Sequence, residues 1–419
     1  MGKVKYLRVL EFLLGIVSFG FVVFPKLSGL LIIVLSLYII LGYFKKKIHF
    51  KLNTISILLI LYYSLYLIGV IFTHNQHQAN IYLENKLSFV IFPLVFSFKS
   101  VKINLKFPFL GFILGTTIVV FSGINNSLNC YSSTGLFECF LATKISPVHH
   151  PTYLVAYVLF SMGIMWCGLQ LKLSYFSLKW ILPLGVFFII IHGFILSFSG
   201  LLYLIVTLLV FLLYQIKKRN SRFIFYLSIL ILPLLGYVSI TEIPQIKGEW
   251  SNAKQYVDTY IKNPSKYVEN RRYPMASSEI RIVMWIASIN VFLEHPFGVG
   301  TGNVDEYLDK ELIKLKQPVL IQSHYNPHNQ FLQTGIEIGF IGLLMLLSII
   351  GFSSYFAFKH RNWLLLLLVG SLFFNSLFES MLQRQSGIVF YSFWICLLVL
   401  YSNQNSEQKI IEENGSTEF

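Results

Sequence analysis

The chain has 419 residues, 55% of them hydrophobic and only 12% charged, with a formal net charge of +14. Soluble domains carry about 25% charged residues, so this composition excludes a soluble globular enzyme, a disordered chain and a disulfide-stapled secreted domain. An all-α polytopic membrane protein remains, in which the basic residues mark topology rather than a nucleic-acid partner.

A spanning helix needs about 20 mostly apolar residues. Runs of that kind predict twelve spans, at 7–24, 27–44, 54–72, 87–98, 107–124, 153–169, 181–199, 201–216, 223–240, 331–358, 362–378 and 388–402. The fourth is short and interrupted by Pro93, so it is expected to be broken or re-entrant, which a membrane tolerates only against protein or water. A tight turn at Ser199-Gly200 is expected between the seventh and eighth. The chain divides into nine spans over 1–240, a long loop over 241–330, three spans over 331–402 and a polar tail over 403–419, expected to be disordered.

Lys and Arg give the orientation. With the N-terminus inside, nineteen of them fall on inner segments, against four on short outer loops: Lys26, Lys86, Lys144 and Arg384. Both termini come out cytoplasmic and the loop over 241–330 lies on the outer face. The first apolar run lacks a small-residue cleavage site and reads as a span rather than a cleaved signal. Cys167 and Cys396 read as packing residues. Cys130 and Cys139 share an outer loop, where they could pair or stay free.

Glu11, Glu337 and Glu379 are the acidic groups in or beside spans. The polar density lies instead in the long loop, which is too large for a connector. One segment begins at Ser277-Ser278-Glu279, a helix start with an acid in its first turn, and stops before Pro296. Arg281, Trp285 and Phe292 share one face of that helix. The turn His295-Pro296-Phe297-Gly298-Val299-Gly300-Thr301-Gly302 follows, with backbone amides that could approach an anionic ligand. It is not a dinucleotide fingerprint, because no strand precedes it.

The second segment places His328-Asn329 where the loop enters the tenth span. A zinc pair of His324 and His328 fails, because Pro327 breaks the helix between them, and no metal ligand set is predicted. Taken alone, the two segments fit an interfacial helix with a flexible turn and a polar helix cap equally well. His149-His150-Pro151 reads as structural, His74 and His77 as solvated. Asp305, Glu306, Asp309 and Glu311 read as a solvated helix face. Glu379 and Arg384 flank the eleventh span, where they could pair or snorkel.

Together these segments resemble the bacterial O-antigen ligase and polymerase superfamily of membrane glycosyltransferases. The family shows a His-Asn pair, nine residues, then Gly-x-x-Gly; here these are His328-Asn329 and Gly339-Phe340-Ile341-Gly342. It also shows an Arg, a Trp four residues on, then His-Pro-x-Gly-x-Gly; here these are Arg281, Trp285 and His295 to Gly300. The stretch Asn375–Gly387 resembles members from the Bacteroidetes. The resemblance covers about 185–400. One departure concerns an Arg that many members carry after Ser-x-Ser in the mid-chain spans: here Ser197-Phe198-Ser199 is followed by Gly200. If that Arg helps to hold a diphosphate, Lys86, Arg272 or Arg384 would have to substitute.

The resemblance implies a helical membrane glycosyltransferase (GT-C-like) that moves a glycan from a polyprenyl diphosphate carrier to an acceptor such as lipid A–core. It implies no cofactor. Arg281 would bind diphosphate oxygens and His328 would take the acceptor's proton. Asn329, Trp285, Arg272, Lys86, Glu379 and Arg384 are the expected substrate-binding residues. An O-antigen or exopolysaccharide polymerase is the nearest alternative. A transporter of polysaccharide or lipid-linked sugar would require broken helices meeting at mid-membrane, and an inactive scaffold has only Gly200 in its favour.

Overall fold

The computed structural model describes residues 2–99, 103–195, 199–200, 202–207, 244–262, 277–323 and 325–415. The described chain is helical, apart from a two-residue antiparallel pairing of His49–Phe50 with Phe98–Lys99. Its helices are α1 (Lys3–Val23), α2 (Ser28–Phe44), α3 (Thr54–Gly69), α4 (Gln76–Lys86), α5 (Ser88–Val95), α6 (Lys106–Thr134), α7 (Pro151–Gln170) and α8 (Leu178–Ile195), followed by α9 (Pro244–Lys262), α10 (Ser277–Glu294), α11 (Val304–Lys314), α12 (Gln330–Lys359), α13 (Trp363–Ser376) and α14 (Gln385–Gly415).

Among the described residues, eight helical segments are long and apolar enough to cross a membrane, and Trp363–Ser376 is a shorter apolar helix. The eight match the predicted first three, fifth to seventh, tenth and twelfth spans. The predicted ninth span lies outside the described residues, as does all of the eighth except 202–207. The fourth is not among the eight, being short and broken as expected. Pro93 sits inside an eight-residue α5 that runs on from α4 after Leu87.

Three boundaries differ from the expectation. Ser199 and Gly200 are helical rather than a tight turn. Helix α6 runs ten residues past Ile124 to a left-handed Gly135, because Asn126 donates to the Lys144 carbonyl at 2.8 Å and Cys130 is disulfide-bonded to Cys139. Helix α14 continues through the tail to Gly415; Gln404 accepts from the Ile103 backbone at 3.0 Å, tying the start of that extension to the bundle.

The core lies where α7 and α14 meet α6 and α1. The Phe112 ring contacts the rings of Tyr157, Phe160, Phe390 and Trp394, and Phe21 contacts Phe393. Edge-to-face and offset aromatic pairs of this kind add to the burial term. By contrast, α2 and α8 expose Leu30, Ile33, Leu37, Leu182, Ile189 and Ile190. Long apolar faces of that sort are compatible with lipid and not with water.

Helix α12 is two helices joined at a kink. Ile338 and Gly339 leave helical geometry, and Gly339 has φ 73°. Before the kink the helix buries Gln330, Gln333, Thr334 and Glu337; after it, the helix is almost wholly apolar. The turn after α10 docks on this kink. Val299 and Gly300 donate to the carbonyls of Ile336 and Glu337 at 2.8 and 3.1 Å, and Phe340 donates to Pro296 at 2.9 Å. A side chain at Gly298 would sit 2.6 Å from the Gly339 nitrogen, and one at Gly339 would overlap Phe297. Thr301 continues the docking, donating through its amide to Gly69 at 3.2 Å and through its hydroxyl to Tyr66 at 2.8 Å. The turn is therefore packed against the helix ends, its amides at 299, 300 and 301 already used, rather than open to an anion.

Candidate active site

The loop over 377–384, between α13 and α14, is the floor of the site. Helix α7 grips it from one side, where Tyr153 donates to the Ser380 carbonyl at 3.3 Å and Tyr157 to the Ser386 carbonyl at 2.8 Å. The entry to α12 grips it from the other. Asn329 donates to the Leu377 carbonyl at 3.1 Å, the Leu382 amide donates to Gln330 at 2.6 Å, and the Ser380 hydroxyl donates to Asn326 at 3.3 Å.

Asn329 also caps α12: its Oδ1 accepts from the Phe331 and Leu332 amides at 2.9 and 3.1 Å, satisfying two orphan donors of the first turn. His328, one residue earlier, has φ 47°, in the left-handed region that costs an L-residue energy. The Asn326 side chain holds it there by accepting the His328 amide at 2.8 Å.

That backbone turns the imidazole onto Glu379. His328 Nδ1 lies 3.4 Å from Glu379 Oε2. His150, the N-cap residue of α7, places its own Nδ1 3.9 Å from the same oxygen. Glu379 is buried, and burial by itself would raise its carboxyl. The hydrogen bond with His328, and the charges of His328, His150 and Arg281, outweigh that and hold the carboxyl below its usual range. Arg384 and Arg281 both act electrostatically on His150, and Arg281 acts on Glu379 as well.

Two donors here are unused. Arg281 Nε and Trp285 Nε1 are buried with no hydrogen-bond partner among the described residues. Buried polar atoms are normally satisfied, and orphans gathered at one place suit a ligand. The Trp285 ring rests on Phe378 at 6.3 Å, which ties the Arg281 face of α10 to the same loop. On that face Phe292 packs over Gly335.

His328, Arg281, Glu379 and Arg384 thus come together, with Asn329 and Trp285 beside them. Lys86 does not join them. It is fully buried in a second cluster, donating to Gln383 at 2.9 Å and lying 4.0 Å from Glu337. Gln383 and Gln333 in turn donate to Glu337 at 2.9 and 3.3 Å, and the ammonium sits over the rings of Tyr66 and Tyr82 at 4.5 and 4.9 Å. Arg272 lies outside the described residues. A side chain at Gly200 would overlap Val155, so α7 closes that position to an arginine.

Two acidic groups differ from their expected places. Glu311 is buried, not solvated, and accepts from Asn290 at 2.8 Å while pairing with Lys314 at 2.9 Å. Glu11 accepts the Asn104 amide at 2.8 Å and holds a loop. His150 is the residue that sequence reasoning missed. Its neighbour His149 is structural, bonded to the Val22 carbonyl at 2.6 Å and to Ser386 at 3.0 Å. The paired His before Pro151 was a signal, but it did not say which of the two faces the site.

Residues 185–347 match the family model described as O-antigen ligase. Over that segment the chain is similar to the O-antigen ligase family, which supports an O-antigen ligase or polymerase type of protein. The matched segment includes Arg281, the docked glycine turn, His328 and the kink of α12, whereas Glu379, Arg384 and His150 lie beyond it. The chain accordingly has an O-antigen ligase or polymerase type of function, with lipid-linked glycan substrates and a multi-pass membrane setting. A search of curated proteins finds no match.

Proposed function

We propose that this protein transfers a glycan from a polyprenyl diphosphate carrier to a sugar hydroxyl of lipid A–core, at the periplasmic face of the inner membrane, with both termini in the cytoplasm. The observation that carries the proposal is the convergence of His328 and Arg281, from separate segments of the chain, on the Glu379 carboxylate.

In the reaction, Nδ1–H of His328 donates to Glu379, leaving the Nε2 lone pair free to accept the proton of the acceptor hydroxyl. The hydroxyl oxygen attacks the anomeric carbon opposite the diphosphate. A carbon–oxygen bond forms, the bond to the diphosphate oxygen breaks with its electron pair, and the anomeric centre inverts. Glu379 stabilises the imidazolium that results. Arg281 and Arg384 neutralise the departing diphosphate, a role suited to guanidinium forks. The diphosphate is already a good leaving group, so this scheme uses no general acid and no metal.

The test is deletion of the gene in its own host and complementation with wild type, His328→Ala or Arg281→Ala, followed by separation of the surface glycolipids. A ligase leaves long glycan stranded on the polyprenyl carrier, and only wild type restores the ladder. Lipid A–core carrying a single repeat unit would show a polymerase instead. Full rescue by both variants would overturn the catalytic assignment in favour of a transporter or scaffold.

A further inference from the structure

Glu379 Oε2 is shared. It stands 3.4 Å from Nδ1 of His328 and 3.9 Å from Nδ1 of His150. The first distance is a hydrogen bond and the second is not, although Nδ1 of His150 is buried and has no other hydrogen-bond partner among the described residues. The His150 side chain keeps part of its surface open, 29% of it. A neutral imidazole can therefore turn Nε2–H to water and its bare Nδ1 lone pair toward the carboxylate. Two lone pairs facing each other do not close, which accounts for the gap.

A proton from bulk water on Nδ1 changes the sign of that contact. Nδ1–H then becomes a charge-assisted donor aimed at the oxygen that anchors His328.

We propose that His150 is a positioning residue of the reaction: taking up a proton, it draws the Glu379 carboxylate off His328 and leaves the base without its anchor. The proposal rests on His328 being the base. The groups that face His150 are Glu379 and Arg384 from the loop over 377–384, His328 from the entry to α12 and Arg281 from α10, and the ring of Tyr153 on its own helix at 6.2 Å. Burial favours the neutral ring. Glu379 opposes this, but Arg384 and Arg281, and His328 when charged, reinforce it, so His150 takes its proton only below the ordinary histidine range. At neutral pH it is neutral and the site is active. As pH falls, the proton on His150 adds one protonation step to the loss of activity.

The test is the pH dependence of kcat/KM for the full chain in phospholipid vesicles, with the host's polyprenyl-diphosphate glycan as donor and its lipid A–core as acceptor. Wild type should lose activity on the acid side one power of proton concentration more steeply than His150→Gln and His150→Asn, whose KM should be unchanged and whose kcat at neutral pH should be lowered by no more than about tenfold. If His328→Ala is inactive while wild type and both His150 variants share one acid limb, the proposal is overturned and the catalytic reading stands. If His328→Ala retains activity, both fall. A merely structural His150 would lower the amount of folded protein at every pH without changing the order in protons.

Discussion

Two regions of this molecule are spelled by neighbouring motifs and do opposite things. Around Glu379, buried donors are left over: Arg281 Nε and Trp285 Nε1 have no hydrogen-bond partner among the described residues. Around the kink of α12, the donors of the docked turn are used. Val299, Gly300 and Thr301 spend their amides on carbonyls of α12 and α3, and Asn303 accepts from the Thr73 hydroxyl and the His74 amide at 2.8 and 3.0 Å. A motif whose polar atoms are all satisfied internally builds the scaffold. One whose polar atoms wait for a partner is where the proposed function puts the ligand.

The comparison can be broken by experiment. The largest expected effect is His328→Ala, which should lower glycan transfer by about 10²–10⁴-fold, with the melting temperature in detergent unchanged. A large fall in melting temperature would move His328 to the scaffold side. Next is the buried pair Lys86 and Glu337. Replacing either partner alone, by Lys86→Met or Glu337→Gln, leaves the other without its charge and should cost about 3–5 kcal/mol. The double variant should recover much of that loss, and additive losses would show that the two are not coupled. Gly339→Ala should cost about 3 kcal/mol or more, since the left-handed backbone and the overlap with Phe297 both oppose it; activity per folded molecule should persist. The smallest effect is removal of the Cys130–Cys139 bridge by paired Ser substitution. Its short loop, with a sequence separation of 9, points to a loss of about 2–3 kcal/mol. Glycan transfer should be unchanged, because the bridge touches no residue of the site.

Much of this arrangement was legible in the sequence. Hydropathy finds spans because a bilayer allows few alternatives to a helix, and the boundaries of α10 followed from Ser277 and Pro296. Arg281 and His328 were legible through motif spacing. What stayed hidden depends on contacts between distant segments. The turn over 298–302 looked like an anion cradle because nothing local reveals that α12 kinks to receive it. Lys86 looked like a free outer cation because its partners, Glu337 and Gln383, lie on other elements. Glu311 looked solvated because Asn290, which buries it, belongs to the preceding helix. His150 read as structural because Glu379 is supplied by a loop more than two hundred residues away.

The kink of α12 has a further consequence for how deep the site sits. After Gly339 the helix runs from Phe340 to Lys359, a rise of about 30 Å at 1.5 Å per residue, which is the thickness of a bilayer's hydrocarbon. The polar half before the kink is therefore surplus to the crossing and stands at the lipid–water boundary. The Gly298–Gly339 docking then acts as a depth gauge, fixing how far His328 stands above the acyl chains. On the proposed function, lipid length becomes a variable of catalysis. A bilayer a few ångströms thicker or thinner must be met by helix tilt, and the reacting hydroxyl and diphosphate would be presented at a different height.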